Sequence, residues 1–224
     1  MARLAWRPAR LVKTRQETPT ARTLVFDVPD WPGHLAGQHV DVRLTAEDGY
    51  AAQRSYSLAS AEGVELTVQI VPDGEVSPYL AEVLEVGDEV ELRGPVGGWF
   101  VWRPANPAPV VLVAGGSGIV PLMAMVRARR TAGLDTPFHL VYSLRDPGQL
   151  YYADELERAG VALTLVYTRT GPARRITAAD LPGGPADCYV CGPTGFVEAA
   201  ADLLTGLGHD PARIRTERFG PTGD

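Results

Sequence analysis

VVLVAGGSGIVPLMAMV, residues 110–126, decides how the chain must fold. A run of valine, leucine and alanine with no polar break reaches three glycines and a serine, and helical spacing follows. A strand apolar on both faces belongs inside a covered sheet, and strand, tight turn and helix in that order begin a right-handed crossover to a parallel neighbour.

Toward the C-terminus the alternation continues. Strands are expected at FHLVYSL, VALTLVYT, DCYVCG and ARIRTERF, with helices at 119–130, 150–160 (stopped by Gly160) and 195–208. Toward the N-terminus the pattern changes at WRPANPAPV, residues 102–110, where the prolines read as a linker. Before it come six short alternating segments: RLVKTRQ, ARTLVFDV, HVDVRLT, QRSYSLA, VELTVQIV and DEVELRG. Asp48-Gly49 signals a hairpin, and SPYLAEVL is a short helix with Ser77 as cap and Pro78 at its first position. The expected architecture is two domains. Residues 1–104 form a six-stranded antiparallel β-barrel, and residues 105–224 form an α/β domain with a five-stranded parallel sheet.

Composition bounds the function. At 224 residues, 45% hydrophobic and with a formal net charge of -6, the chain can bury its cores but lacks the basic surface of a nucleic-acid binder. The basic first fifteen residues lead into no signal-like apolar run, and no stretch approaches the ~18 apolar residues of a membrane span, so a cytoplasmic protein is expected. Two cysteines cannot build a four-cysteine iron-sulfur cluster. Cys188 and Cys191 form a C-x-x-C, but on a strand residues three apart face opposite ways, so no redox dithiol is expected, and no second cysteine pair or nearby histidines complete a zinc site. The four histidines form no motif.

AGGSGIVP, residues 114–121, sits where backbone N–H groups and a helix start meet a pyrophosphate. It lacks the Walker lysine, has Pro121 in place of a third fingerprint glycine, and is no nucleophile elbow because Gly118 directly follows Ser117. A tight turn without ligand remains open on these residues alone. After the second parallel strand, Ser143 and Arg145 are suited to a phosphate, joined by Arg169 and by Arg174 or Arg175, while Asp146 keeps a ribose-binding reading open. In the first half, DGEVS leads into the short helix, and RSYSLAS sets Arg54 and Tyr56 on one face of a strand with Ser55 and Ser57 on the other.

RSYS, GEVS, GPVGGWF, GGSGIVP, YVCGP and the terminal ERFG follow one another in the order and approximate spacing of one family. The sequence resembles the ferredoxin-NADP reductase family over almost its whole length, closest to standalone bacterial modules without a fused iron-sulfur domain. That resemblance implies an FAD-binding barrel and an NAD(P)-binding sheet. By it, Arg54 pairs with the FAD pyrophosphate, Tyr56 lies against the flavin ring, Ser57 bonds near flavin N5, and Gly74 and Ser77 hold the pyrophosphate. Gly115, Gly116, Ser117 and Gly118 form the nicotinamide-nucleotide loop, and Cys191, Gly192 and Pro193 form the turn beside the nicotinamide. Phe219 covers the flavin face and Glu217 assists positioning or proton transfer.

The implied activity is hydride transfer from NAD(P)H to flavin N5, then electron delivery to a separate one-electron acceptor such as a ferredoxin, flavodoxin, haem or molybdenum protein. Ser143, Arg145 and Arg169 favour NADPH over NADH. A diaphorase or free-flavin reductase, and an electron-transfer subunit inactive without its partner, are the alternatives. Because Ser57 lies opposite Tyr56 on a flat strand, a twist or bulge is expected there, or use of the Ser57 backbone N–H.

Overall fold

The computed structural model describes residues 4–220; residues 1–3 and 221–224, at the outer ends of the two expected domains, lie outside the described residues. Alternating apolar residues in the first hundred produce β1 (Trp6–Thr18), β2 (Ala21–Asp27), β3 (His39–Thr45), β4 (Ala51–Ser57), β5 (Val64–Gln69) and β6 (Glu89–Val96). They form one antiparallel sheet in the order β4-β3-β6-β1-β2-β5. Its two edges meet: Leu58 bridges Leu66, and the Ala59 N–H donates to the Glu65 carbonyl at 2.8 Å, which rolls the sheet into a barrel. Leu11, Leu24, Val40, Val42, Leu66 and Leu92 fill it.

β1 begins before the expected Arg10 and contains Pro8. From Trp6 to Ala9 it pairs only with β6, Arg10 pairs with both neighbours and β2 takes over beyond it, so the missing proline N–H interrupts no ladder on the open side. The short helix α1 is one α turn (Val76–Pro78) opening into a π turn (Tyr79–Val83). Ser77 is not its cap: Glu75 holds that position, and the Ser77 hydroxyl instead accepts from the Val71 N–H at 3.0 Å. Pro78 is likewise the third helical residue, where the lost N–H is still free of any partner within the helix.

The second sheet contains β7 (Val110–Gly115), β8 (Phe138–Leu144), β9 (Ala162–Tyr167), β10 (Asp187–Pro193) and β11 (Ile214–Phe219), ordered β11-β10-β7-β8-β9 and parallel throughout. α2 (Ile119–Thr131) follows β7 directly. The helix expected over 150–160 is only α3 (Ala153–Glu157), because Tyr152 takes a left-handed φ of 58° that a helix cannot contain. α4 (Thr194–Gly206) covers the opposite face from α2. Chain order reverses beside β7, so the carboxyl ends of β7 and β10 open a crevice of the kind that holds ligands in such sheets.

The proline-rich stretch connects the two sheets, yet its first residue is no linker. Trp102 is 1% exposed and packs edge-to-face on Phe138, with ring centroids 5.1 Å apart. Its backbone N–H donates to the Ala36 carbonyl at 3.1 Å, and the Tyr189 hydroxyl donates to the Val101 carbonyl at 3.0 Å. Indole and phenol surfaces thus bind the parallel sheet to the barrel.

Candidate active site

The glycine loop is built by steric need. A Cβ on Gly115 would stand 2.6 Å from the Phe196 ring, and one on Gly118 would stand 2.1 Å from the Cys191 carbonyl oxygen. Gly116 differs: open space surrounds it, but its φ of +55° is a left-handed value that side chains disfavour. Close packing on both sides and a reversed backbone between them hold the loop open over the start of α2.

Gly115, Gly116, Ser117, Ser143, Arg145, Pro193 and Phe219 surround a single cleft of about 240 Å³. Ser143 pairs with Gly115 across β7 and β8, and Phe219 pairs with Pro193 across β10 and β11. Gly118 and Cys191 lie behind the loop instead of lining it, and Gly192 packs within 3.1 Å of the Gly115 Cα for a built Cβ. Arg169 stands beside the cleft: its N–H donates to the Arg145 carbonyl at 2.9 Å, extending the β8–β9 pairing and putting two exposed arginines side by side. Arg174 is already committed, bidentate to Asp180 at 2.5 and 2.6 Å. Asp146 caps its own turn by accepting from the Gly148 N–H at 2.9 Å.

The β4 residues approach from the other sheet. Arg54 is exposed and, among the described residues, its guanidinium bonds only the neighbouring Gln53 carbonyl, at 2.7 Å. Tyr56 packs half-buried against the barrel core, and burial pushes its hydroxyl up to about 12. The β3–β4 ladder runs from Thr45–Ala51 to His39–Ser57 without a register shift, so the expected bulge at Ser57 is absent. Ser57 keeps the face opposite Tyr56, and there its hydroxyl donates to Glu217 Oε1 of β11 at 3.4 Å. Gly74 and Ser77 sit on the same rim as Arg54, because the Tyr50 hydroxyl of the β3–β4 hairpin donates to the Glu75 carboxylate at 2.9 Å.

Burial raises the Glu217 carboxyl to about 7, against the lowering effect of the Ser57 hydrogen bond. Cys191 lies next to Glu217 in the β10–β11 pairing, and burial, followed by that carboxylate, holds its thiol well above the usual range. It is a neutral thiol. Cys188 faces the other core and contacts His209 Nδ1 at 3.5 Å, so the C-x-x-C is no dithiol and both cysteines are free.

Sequence reasoning missed Gln69, Leu144, Gln149, Tyr151, Thr168 and Phe196, which complete the cleft lining. Phe196 looked like helix core, and Gln69 ends a barrel strand far away in sequence. Gln149 and Tyr151 lie in the same stretch as Ser143 and Arg145, and that proximity was the available signal.

Models described as oxidoreductase FAD-binding domain and oxidoreductase NAD-binding domain match residues 8–101 and 112–202. The chain is 30% identical to the ferredoxin–NAD(P)(+) reductase component of naphthalene 1,2-dioxygenase/salicylate 5-hydroxylase systems of a Ralstonia species, over 96% of this chain and 71% of that one. The chain belongs to the ferredoxin-NADP reductase family. Within that family, the toluate 1,2-dioxygenase electron transfer component of Pseudomonas putida is 29% identical over 83% of this chain, which spans 58% of its length. The flavohem-like FAD/NAD binding domain of nitric oxide dioxygenase from Vibrio cholerae superposes with a TM-score of 0.83 at 26% identity, covering 98% of this chain and 100% of that one. The two halves thus correspond to an FAD-binding and an NAD-binding unit of this reductase family. No helix among the described residues is long and apolar enough to cross a membrane.

Proposed function

We propose that this protein is a reductase that takes hydride from NAD(P)H, with NADPH favoured, and delivers electrons singly to a separate redox protein. Residues 1–104 form its flavin-holding unit and residues 105–224 its nucleotide-holding unit. The observation that carries this reading is the meeting of both sheets at one place: the cleft over the glycine loop is lined by Phe219, two residues beyond Glu217, whose carboxylate reaches Ser57 on the barrel.

FAD, when bound, supplies a hydride acceptor able to give up electrons one at a time. The residues fit it: Arg54 offers a guanidinium with no acidic partner among the described residues, and Tyr56 offers a half-buried ring on the same strand face. Arg54, Gly74 and Ser77 would hold its pyrophosphate, and Tyr56 would support its ring. Gly115, Gly116 and Ser117 receive the nucleotide pyrophosphate, with Gly118 holding the loop from behind and Pro193, backed by Gly192, closing the other side. Ser143, Arg145 and Arg169 receive the additional phosphate of NADPH. Phe219 lines the cleft where it would lie against a bound flavin, Cys191 backs the loop as an uncharged thiol, and Glu217 holds a proton on its carboxyl with Ser57 Oγ beside it.

The names of the relatives tie them to dioxygenase systems, which supports a one-electron protein acceptor here. Two free, buried thiols suit a reducing cytoplasm. Anaerobic rapid mixing of the flavin-loaded protein with NADPH and with NADH tests the reading: bleaching should be faster or tighter with NADPH. Absence of bleaching with both nucleotides would refute it, and flavin lost on gel filtration would point to a free-flavin reductase.

A further inference from the structure

Helix α2 has the nucleotide loop at one end and a buried arginine near the other. Arg127 is 9% exposed, and its guanidinium donates to acceptors on both sheets' elements. On the barrel it reaches the Ala59 carbonyl at 2.9 Å and the Glu65 carboxylate at 2.5 Å; on α3 it grips Glu155 at 2.9 and 2.6 Å. Ala59 lies two residues beyond Ser57. Tyr152, over whose ring Arg127 lies at 5.0 Å, donates to the Thr67 hydroxyl at 2.5 Å, and its N–H donates to Glu17 at 3.0 Å. These short bonds are charge-assisted or buried, whereas the Ser57–Glu217 contact at 3.4 Å is too long to set an angle between sheets.

We propose that Arg127 is a positioning residue, the pin that fixes the parallel sheet against the barrel and so sets how a nucleotide on the Gly115–Gly118 loop meets the β4 strand. The proposal rests on the hydride-transfer reading above. The planar guanidinium serves Glu65 and Glu155 at once, which the single ammonium of a lysine does not do with the same geometry. Arg15 and Arg130 flank the two carboxylates at 3.6 and 3.4 Å, so loss of Arg127 leaves them partly compensated.

The test compares the FAD-loaded protein with Arg127→Met and Glu65→Gln, the latter removing one cross-sheet carboxylate while keeping the grip on Glu155. Spin labels at the exposed positions Glu47→Cys and Asp202→Cys report the separation of the two units without turnover. Expected for Arg127→Met are a broadened distance distribution and a limiting flavin-bleaching rate about tenfold lower at saturating NADPH. The NADPH Kd should stay within about threefold. Glu65→Gln should move the same way by less. A distribution as narrow as in the unsubstituted protein overturns the pin, and a broadened one with an unchanged limiting rate overturns the positioning role. Should Arg127→Met fail to fold, Glu65→Gln decides by the same criteria. Failure of the unsubstituted protein to bleach would overturn the functional reading alone, since the distance distribution still tests the pin.

Discussion

Ser57 Oγ and Glu217 Oε1 stand 3.4 Å apart across the seam of two sheets, although 160 positions separate them in the chain. The barrel strand and the last parallel strand each contribute one member, so neither unit alone contains the pair. Burial keeps Glu217 protonated to about pH 7, where an ordinary carboxyl has long ionised. A reaction that moves protons near neutrality can use such a group.

The raised carboxyl makes stability depend on pH. Folded Glu217 retains its proton after the unfolded chain has released it, so its contribution is fully present below pH 4.5 and is lost as pH rises through about 7. Relative to Glu217→Gln, the unsubstituted protein should lose on the order of 3 kcal/mol between pH 4.5 and pH 8. Denaturant unfolding of both proteins across that range checks it; parallel curves would mean that Glu217 titrates normally.

Ser57→Ala removes the one hydrogen bond that lowers the Glu217 carboxyl. The pH profile of flavin reduction should therefore shift its Glu217 limb upward, by a few tenths to about one unit. A downward shift would show that Ser57 acts on some other group.

Both cysteine thiols are held above their ordinary range by burial, Cys188 to about 12. An aromatic disulfide reagent at pH 8 should find almost no reactive thiol in the native protein and two after denaturation. Rapid labelling of Cys191 in the native state would show that the loop behind the cleft opens.

The barrel strands were legible because Leu24 and Phe26, or Val40 and Val42, repeat every second residue, and the parallel strands because VVLVAG has no polar face to expose. The ends of β1 and α3 were not. Pro8 argues locally against a strand, and only pairing with β6 alone makes it acceptable; Tyr152 looks helical until Thr67 and Glu17 take its hydroxyl and N–H. The glycine loop was legible from its residue types. Arg127 was not, since an arginine at the end of a helix reads as solvated, and only the tertiary fold brings Ala59 and Glu65 to it.

The proposed preference for NADPH rests on the side-by-side arginines after β8 and β9. Arg145→Glu replaces an exposed cation at the cleft with an anion that would face the additional phosphate of NADPH. kcat/KM for NADPH should fall by at least about tenfold while that for NADH changes by less than about threefold. Equal losses with both nucleotides would remove Arg145 from phosphate recognition.

The three loop glycines should respond differently, because different physics requires each. Gly116→Ala meets no neighbouring atom but must hold φ at +55°, a strain of about 1–2 kcal/mol. Gly118→Ala places its methyl 2.1 Å from the Cys191 carbonyl oxygen, a backbone atom that moves only if β10 moves, and should cost about 3 kcal/mol. Gly115→Ala meets the Phe196 ring at 2.6 Å, and a side chain can turn away where a carbonyl cannot, so its cost should fall below that of Gly118→Ala. Turning Phe196 changes the cleft wall, so Gly115→Ala should weaken NADPH binding more than its stability loss implies. Thermal unfolding and NADPH titration of the three variants check the order. If Gly118→Ala proved the mildest, α2 would not be held against β10 as tightly as the carbonyl contact demands.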